Sequence, residues 1–207
     1  MELCSTRWRS LLSRAVFVIL AASLLVGATF MTNATKAEAA PQATFGTSNP
    51  SDLTRSDNDS SVEVGLRFVP KQDGTINTIR FYKANSSASS TPSTVSLWSA
   101  SGARLASASV PATTSTGWIT VELPTTNQLT ANTEYVVSAF ARNGSYVSTR
   151  NYFASAQTSG SITMPRNAGV FKYNTQSQFP DEVYQASNYW IDPVFAANTT
   201  TTQPTAS

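Results

Sequence analysis

The chain has 207 residues, with 14 Lys and Arg against 12 Asp and Glu, no histidine, and one cysteine, Cys4. Without histidine there is no Ser-His-Asp or Cys-His centre, and the commonest zinc ligand is missing too. A single cysteine permits no internal disulfide, but a domain of ~160 residues buries close to ~70% of its unfolded surface and can hold a core without staples.

The first predicted element is a leader. Arg7, Arg9 and Arg14 make a basic start, AVFVILAASLLVGATF (Ala15 to Phe30) an apolar run, and KAEAA places Ala37 and Ala39 at signal-peptidase spacing. Residues 1–39 therefore read as a signal peptide cut after Ala39. The alternative is a retained anchor, but the run is short of the ~20 residues of a span, and the Ala-x-Ala site favours cleavage. Cys4 precedes the apolar run, so it is not a lipoprotein cysteine. Removing Arg7, Arg9, Arg14 and Lys36 leaves ten basic residues, and removing Glu2 and Glu38 leaves ten acidic ones. A mature chain near neutrality, with no Lys/Arg block, excludes nucleic acid and an anionic membrane as expected partners. The expected location is secreted or at the cell surface.

Residues 40–197 are expected to form one all-β domain. It opens on SDLTRSDNDSSVE, where Asp52, Asp57, Asp59 and Glu63 crowd oxygen donors. Such a density can hold Ca²⁺, and Asp57, Asp59 and Asp192 are the candidate ligands if the first and last strands meet at one end. Asx-turn and strand-end chemistry is the preferred account of the same residues. In VEVGLRFV, Val62, Val64, Leu66 and Phe68 alternate with Glu63, Gly65 and Arg67. KQDG (Lys71 to Gly74) then reads as a hairpin turn with positive φ, leading into TINTIRFYK. ANSSASSTPST (Ala84 to Thr94) reads as a plain linker. VSLW and ARLASASV flank the turn SASG, and GWITVEL aligns Ile119, Val121 and Leu123. EYVVSAFA is apolar on both faces and so expected to be central. ARNGS (Ala141 to Ser145) carries the strongest hairpin signal, ahead of YVSTRNYF. NYWIDPVF (Asn188 to Phe195) closes the domain as a strand made irregular, or placed at an edge, by Pro193. Residues 198–207 read as a disordered Thr/Pro-rich tail. The whole is expected to be an antiparallel β-sandwich, jelly-roll-like, of about nine or ten strands.

GLRFVPKQDGTINTIRFYK, VSLWSASGARLAS, STGWITVEL, LTANTEYVVSAFA, the YFA of Tyr152 to Ala154, and NYWIDPVF occur in an order and spacing that resemble a bacterial extracellular family, domain of unknown function 4082. The resemblance covers about Thr44 to Ala196. It implies a sandwich module of exported or surface-attached proteins and offers no established catalytic residues.

The aromatics are the main candidate site. Trp98, Trp118 and Trp190 each alternate against aliphatics, so burying the aliphatics turns three tryptophans outward, where they can stack on sugar rings. Burial beneath loops or a second layer accounts better for each one singly, with at least one expected to be exposed. Arg80 with Tyr82, and Arg150 with Tyr152, repeat a planar donor beside a flat ring, which suits a saccharide or a peptide; cross-strand pairing is the preferred alternative. The expected function is a non-catalytic binding or adhesion module, for a polysaccharide or cell-surface glycan. The competing class is a structural spacer or protein-contact module.

Overall fold

The computed structural model describes residues 36–51 and 60–200. In chain order the strands among them are β1 (Lys36–Glu38), β2 (Gln42–Ala43), β3 (Val62–Pro70), β4 (Gly74–Lys83), β5 (Thr94–Ser99), β6 (Arg104–Ser109), β7 (Gly117–Leu129), β8 (Tyr135–Ala141), β9 (Gln157–Ser159), β10 (Ile162–Met164), β11 (Gly169–Tyr173) and β12 (Ile191–Thr200). The surplus over nine or ten comes from pieces of two or three residues, too short for alternation to show.

All pairings are antiparallel and fall into two sheets. One runs β1-β12-β4-β7, with β2 also on β12; the other runs β6-β5-β8-β3-β10-β9, with β11 also on β3. The chain crosses between sheets from β3 to β4, β4 to β5, β6 to β7, and β7 to β8. The fold is an antiparallel β-sandwich with jelly-roll-like crossings. Its core follows the alternation: Val64, Leu66 and Phe68 of β3 face Ile76, Ile79 and Phe81 of β4, with Leu97, Val121, Val137 and Ile191 filling the layer. EYVVSAFA is central, as its two apolar faces required. Every residue of β8 is buried, between β5 and β3.

Two turn signals led elsewhere than to hairpins. KQDG does not pair β3 with β4; it carries the chain from one sheet to the other. Gly74 is absent from the positive-φ positions, and a Cβ there would fall 2.3 Å from the Ala196 carbonyl and the Phe195 ring. Close approach, not left-handed backbone, explains the glycine. Asn143-Gly144 does turn, with Gly144 at φ 70. YVSTRNYF nevertheless cannot pair with β8, because β3 and β5 already occupy both edges of that strand. It crosses the end of the sandwich with Val147 and Phe153 in the core, held by a bridge between Thr149 and Asn188. SASG does join a hairpin, β5 with β6.

The start of the expected tail is ordered. β12 runs on to Thr200, so Asn198 to Thr200 of the expected tail are strand. They pair with β1, which lies ahead of the expected cut after Ala39. Pro193 stands beside a register shift between Val194 and Phe195, in keeping with the irregularity expected there.

Residues 174–182 fold over the outer face of the second sheet. Pro180 lies over Gly65, and Phe179 packs on Trp98, Val136 and Val170. The returning chain comes so close to β11 that a Cβ on Gly169 would sit 1.8 Å from the Ser187 carbonyl oxygen. Gly169→Ala is therefore expected to lower stability by about 1–3 kcal/mol in denaturant titration, since neither backbone can yield freely.

Candidate functional site

Alternation along TIRFYK, GWITVEL and NYWIDPVF sets Arg80, Tyr82, Trp118 and Asp192 on the outer face of the first sheet, and Trp190, just ahead of β12, packs beside Trp118. Register brings them together: Arg80 lies opposite Asp192 on one side and Thr120 on the other, and Tyr82 opposite Trp118. Arg80 Nε donates to Asp192 Oδ2 at 3.1 Å and its Nη2 ion-pairs with the same oxygen. The guanidinium carbon stands 4.4 Å from the centre of the Trp118 ring.

A turn formed by residues 44–48 crosses this face and is fastened to it. The Thr44 amide donates to Asp192 Oδ1 at 2.8 Å and the Phe45 amide to Oδ2 at 3.4 Å. Arg80 Nη2 donates to the Gly46 carbonyl at 2.9 Å, and Trp118 Nε1 to the Ser48 carbonyl at 2.9 Å. Phe45 then plugs the aromatics, 5.4 Å from Trp190, 6.0 Å from Tyr152 and 6.2 Å from Trp118 between ring centres. Burial pushes the Asp192 carboxyl up, against the pull of Arg80 and the Phe45 and Thr44 amides. Trp190 takes φ 55, a left-handed backbone that a bulky side chain rarely adopts. Its amide donates to Asn188 Oδ1 at 2.8 Å and its indole N–H to Thr149 Oγ1 at 2.9 Å, so the surroundings hold the strain in place.

Five of the seven candidate ligand-binding residues, Arg80, Tyr82, Trp118, Tyr152 and Trp190, thus meet in one cluster. Trp190 is only 2% exposed, while Trp118, Tyr82 and Tyr152 are half-buried. Trp98 lies on the other sheet, sealed under Phe179 and Arg104, with its indole N–H donating to Ser138 Oγ at 2.7 Å. Arg150 is exposed, with its guanidinium carbon 5.6 Å from the Tyr184 ring. Of the calcium candidates, Asp57 and Asp59 lie outside the described residues. Both Asp192 oxygens accept hydrogen bonds and a guanidinium holds the position a cation would need, so Asp192 acts as a hydrogen-bond acceptor for the 44–48 turn. Among the described residues no three His, Cys, Asp or Glu side chains are grouped to hold a metal.

The 44–48 turn also builds one wall of an open groove of about 500 Å³. Gln42, Thr47, Ser48, Gln157 and Thr158 line it, over Tyr152 and Met164, and no charged side chain takes part. The Ser159 hydroxyl donates to the Thr44 carbonyl at 2.7 Å, tying the two walls together. Only one residue of the turn hinted at this in the sequence: Phe45, a lone large apolar side chain in a small, polar stretch.

On the far side of the sandwich, Glu63 is fully buried beneath residues 174–182. Ser138 Oγ donates to its Oε1 at 2.5 Å, and Oε2 makes no hydrogen bond of ordinary geometry. Burial pushes its carboxyl up to about 7, despite the pull of Ser138, Ser177, Arg104 and the Gln178 backbone.

No curated protein matches the chain. A family profile matches residues 47–191, from the 44–48 turn to the start of β12. The chain belongs to that family, described as a domain of unknown function, DUF4082.

Proposed function

We propose that this chain is a non-catalytic binding module, exported to the cell surface or the medium, whose ligand is a neutral saccharide. The observation that carries this reading is the groove beside the 44–48 turn. Amide and hydroxyl side chains share that groove with Tyr152, with no charged side chain, a mixture of donors, acceptors and an aromatic that suits sugar hydroxyls and a sugar face. The leader-like residues 1–39 support export. A non-catalytic role is supported by the two buried carboxylates, Glu63 and Asp192, which lie on different sheets, each among its own partners.

The competing reading is a structural or protein-contact module. It is favoured by the closure of Trp98 and Trp190 and by the exposure of Val183 and Tyr184, each close to half accessible. A glycan array separates the two. The saccharide reading expects neutral glycans to be retained by the chain and binding to fall about tenfold or more in Tyr152→Ala, the loss of about 1.4 kcal/mol or more that truncating a central aromatic contact brings. An array with no neutral glycan bound would favour the structural reading.

A further inference from the structure

β4 ends in Phe81-Tyr82-Lys83, and alternation sends Lys83 inward after Phe81. Its side chain is only 3% exposed and borders a cavity of about 140 Å³ that shares no residue with the groove. Val64, Phe81, Ala139 and Ile191 give the cavity apolar walls, and Tyr146 and Tyr189, 5.6 Å apart edge to face, line another side. The Lys83 ammonium donates to the Asn85 carbonyl. The ion pairs of the described residues are Arg80–Asp192 and Lys172–Asp181, so no carboxylate there answers the Lys83 charge. Burial accordingly pushes the amine down. Of its three N–H groups, one has an acceptor among the described residues.

The same Asn85 carbonyl accepts from Ser90 Oγ at 3.2 Å, and Ser90 Oγ also reaches the Ser87 carbonyl at 2.7 Å. Residues 84–92 are thus a lid ordered at Lys83, not a plain linker. Closing that lid needs a hydrogen-bond donor but no charge. A buried ammonium without a counter-ion is costly, and an anion in the cavity would offset that cost. Phosphate is held best by several convergent charged donors, and Lys83 is the single charged side chain among the described residues that line this cavity. The space is well below the ~300–1,000 Å³ of pockets for drug-sized ligands.

We propose that this cavity is a binding site for a small monocarboxylate, its carboxylate on Lys83 Nζ and its apolar remainder against Phe81, Val64 and Ala139. The test is a nuclear magnetic resonance titration of the full chain with sodium propionate, its neutral isostere propionamide and inorganic phosphate. Propionate is expected to shift the amides of Asn85, Ser90 and Ser145 saturably, and propionamide to bind about tenfold or more weakly. Lys83→Met is expected to bring propionate down to the level of propionamide. Equal shifts with propionate and propionamide on the unaltered chain, tighter binding of phosphate, or unchanged binding by a folded Lys83→Met would each overturn the proposal. The two isosteres decide the matter even if Lys83→Met fails to fold.

Discussion

Asp192→Ala is expected to remove about 3–5 kcal/mol of unfolding free energy, the range for breaking one side of a buried ion pair. The loss has three parts. Arg80 keeps its charge but loses its counter-ion over Trp118. The Thr44 and Phe45 amides lose their acceptor. The 44–48 turn then loosens, and Phe45 withdraws from Trp190 and Tyr152. Burial pushes the Asp192 carboxyl up against the pull of Arg80, and a buried pair is weak evidence of net stability even where its rupture is expensive. Two controls follow. Asp192→Asn keeps the shape and is expected to cost less, about 1–3 kcal/mol. Arg80→Met combined with Asp192→Leu removes both charges and is expected to cost less than Asp192→Ala alone. Denaturant unfolding of the three variants measures this. A loss below about 1 kcal/mol in Asp192→Ala would mean that something else fastens the turn.

Glu63→Gln is expected to change how stability depends on pH. The folded carboxyl is raised from 4.5 to about 7. Between those values the folded chain binds a proton that the unfolded chain releases, so this group's contribution falls as pH rises. Below pH 4.5 both states are protonated and the penalty is absent; above pH 7 it is complete, at about 3 kcal/mol. Glutamine is neutral throughout and similar in shape. The difference in stability, variant minus wild type, should therefore climb by about 3 kcal/mol from pH 4.5 to pH 8, with the variant the more stable at the upper end. A difference that stays flat across that range would show that Glu63 titrates as an ordinary carboxylate.

What the sequence made legible was local. Alternation in VEVGLRFV and GWITVEL correctly sorted core from outer face, and the doubly apolar EYVVSAFA named the central strand. The turn chemistry of KQDG and ARNGS was genuine but did not say which strand came next to which. That depends on edges already taken and on sheets facing each other, neither of which is a local property. Asp192 looked ambiguous for the same reason, since its partner Arg80 lies 112 positions earlier and its other partners belong to a turn 147 and 148 positions away. Trp98 gave an outward signal and is outward, yet a loop from residues 174–182 covers it. Lys83 passed unnoticed because a strand-end lysine ordinarily reaches solvent; the lid of residues 84–92 is what encloses it.

The groove beside the 44–48 turn is proposed to receive a neutral saccharide. The most direct test is to titrate the full chain with an oligosaccharide retained on the array, or with a panel of neutral oligosaccharides if none is retained, while following backbone amide shifts. Saturable shifts concentrated at residues 42–48 and 157–159, and lost in Tyr152→Ala, are expected. Shifts centred on Val183 and Tyr184, or no shifts with any of the oligosaccharides, would contradict it.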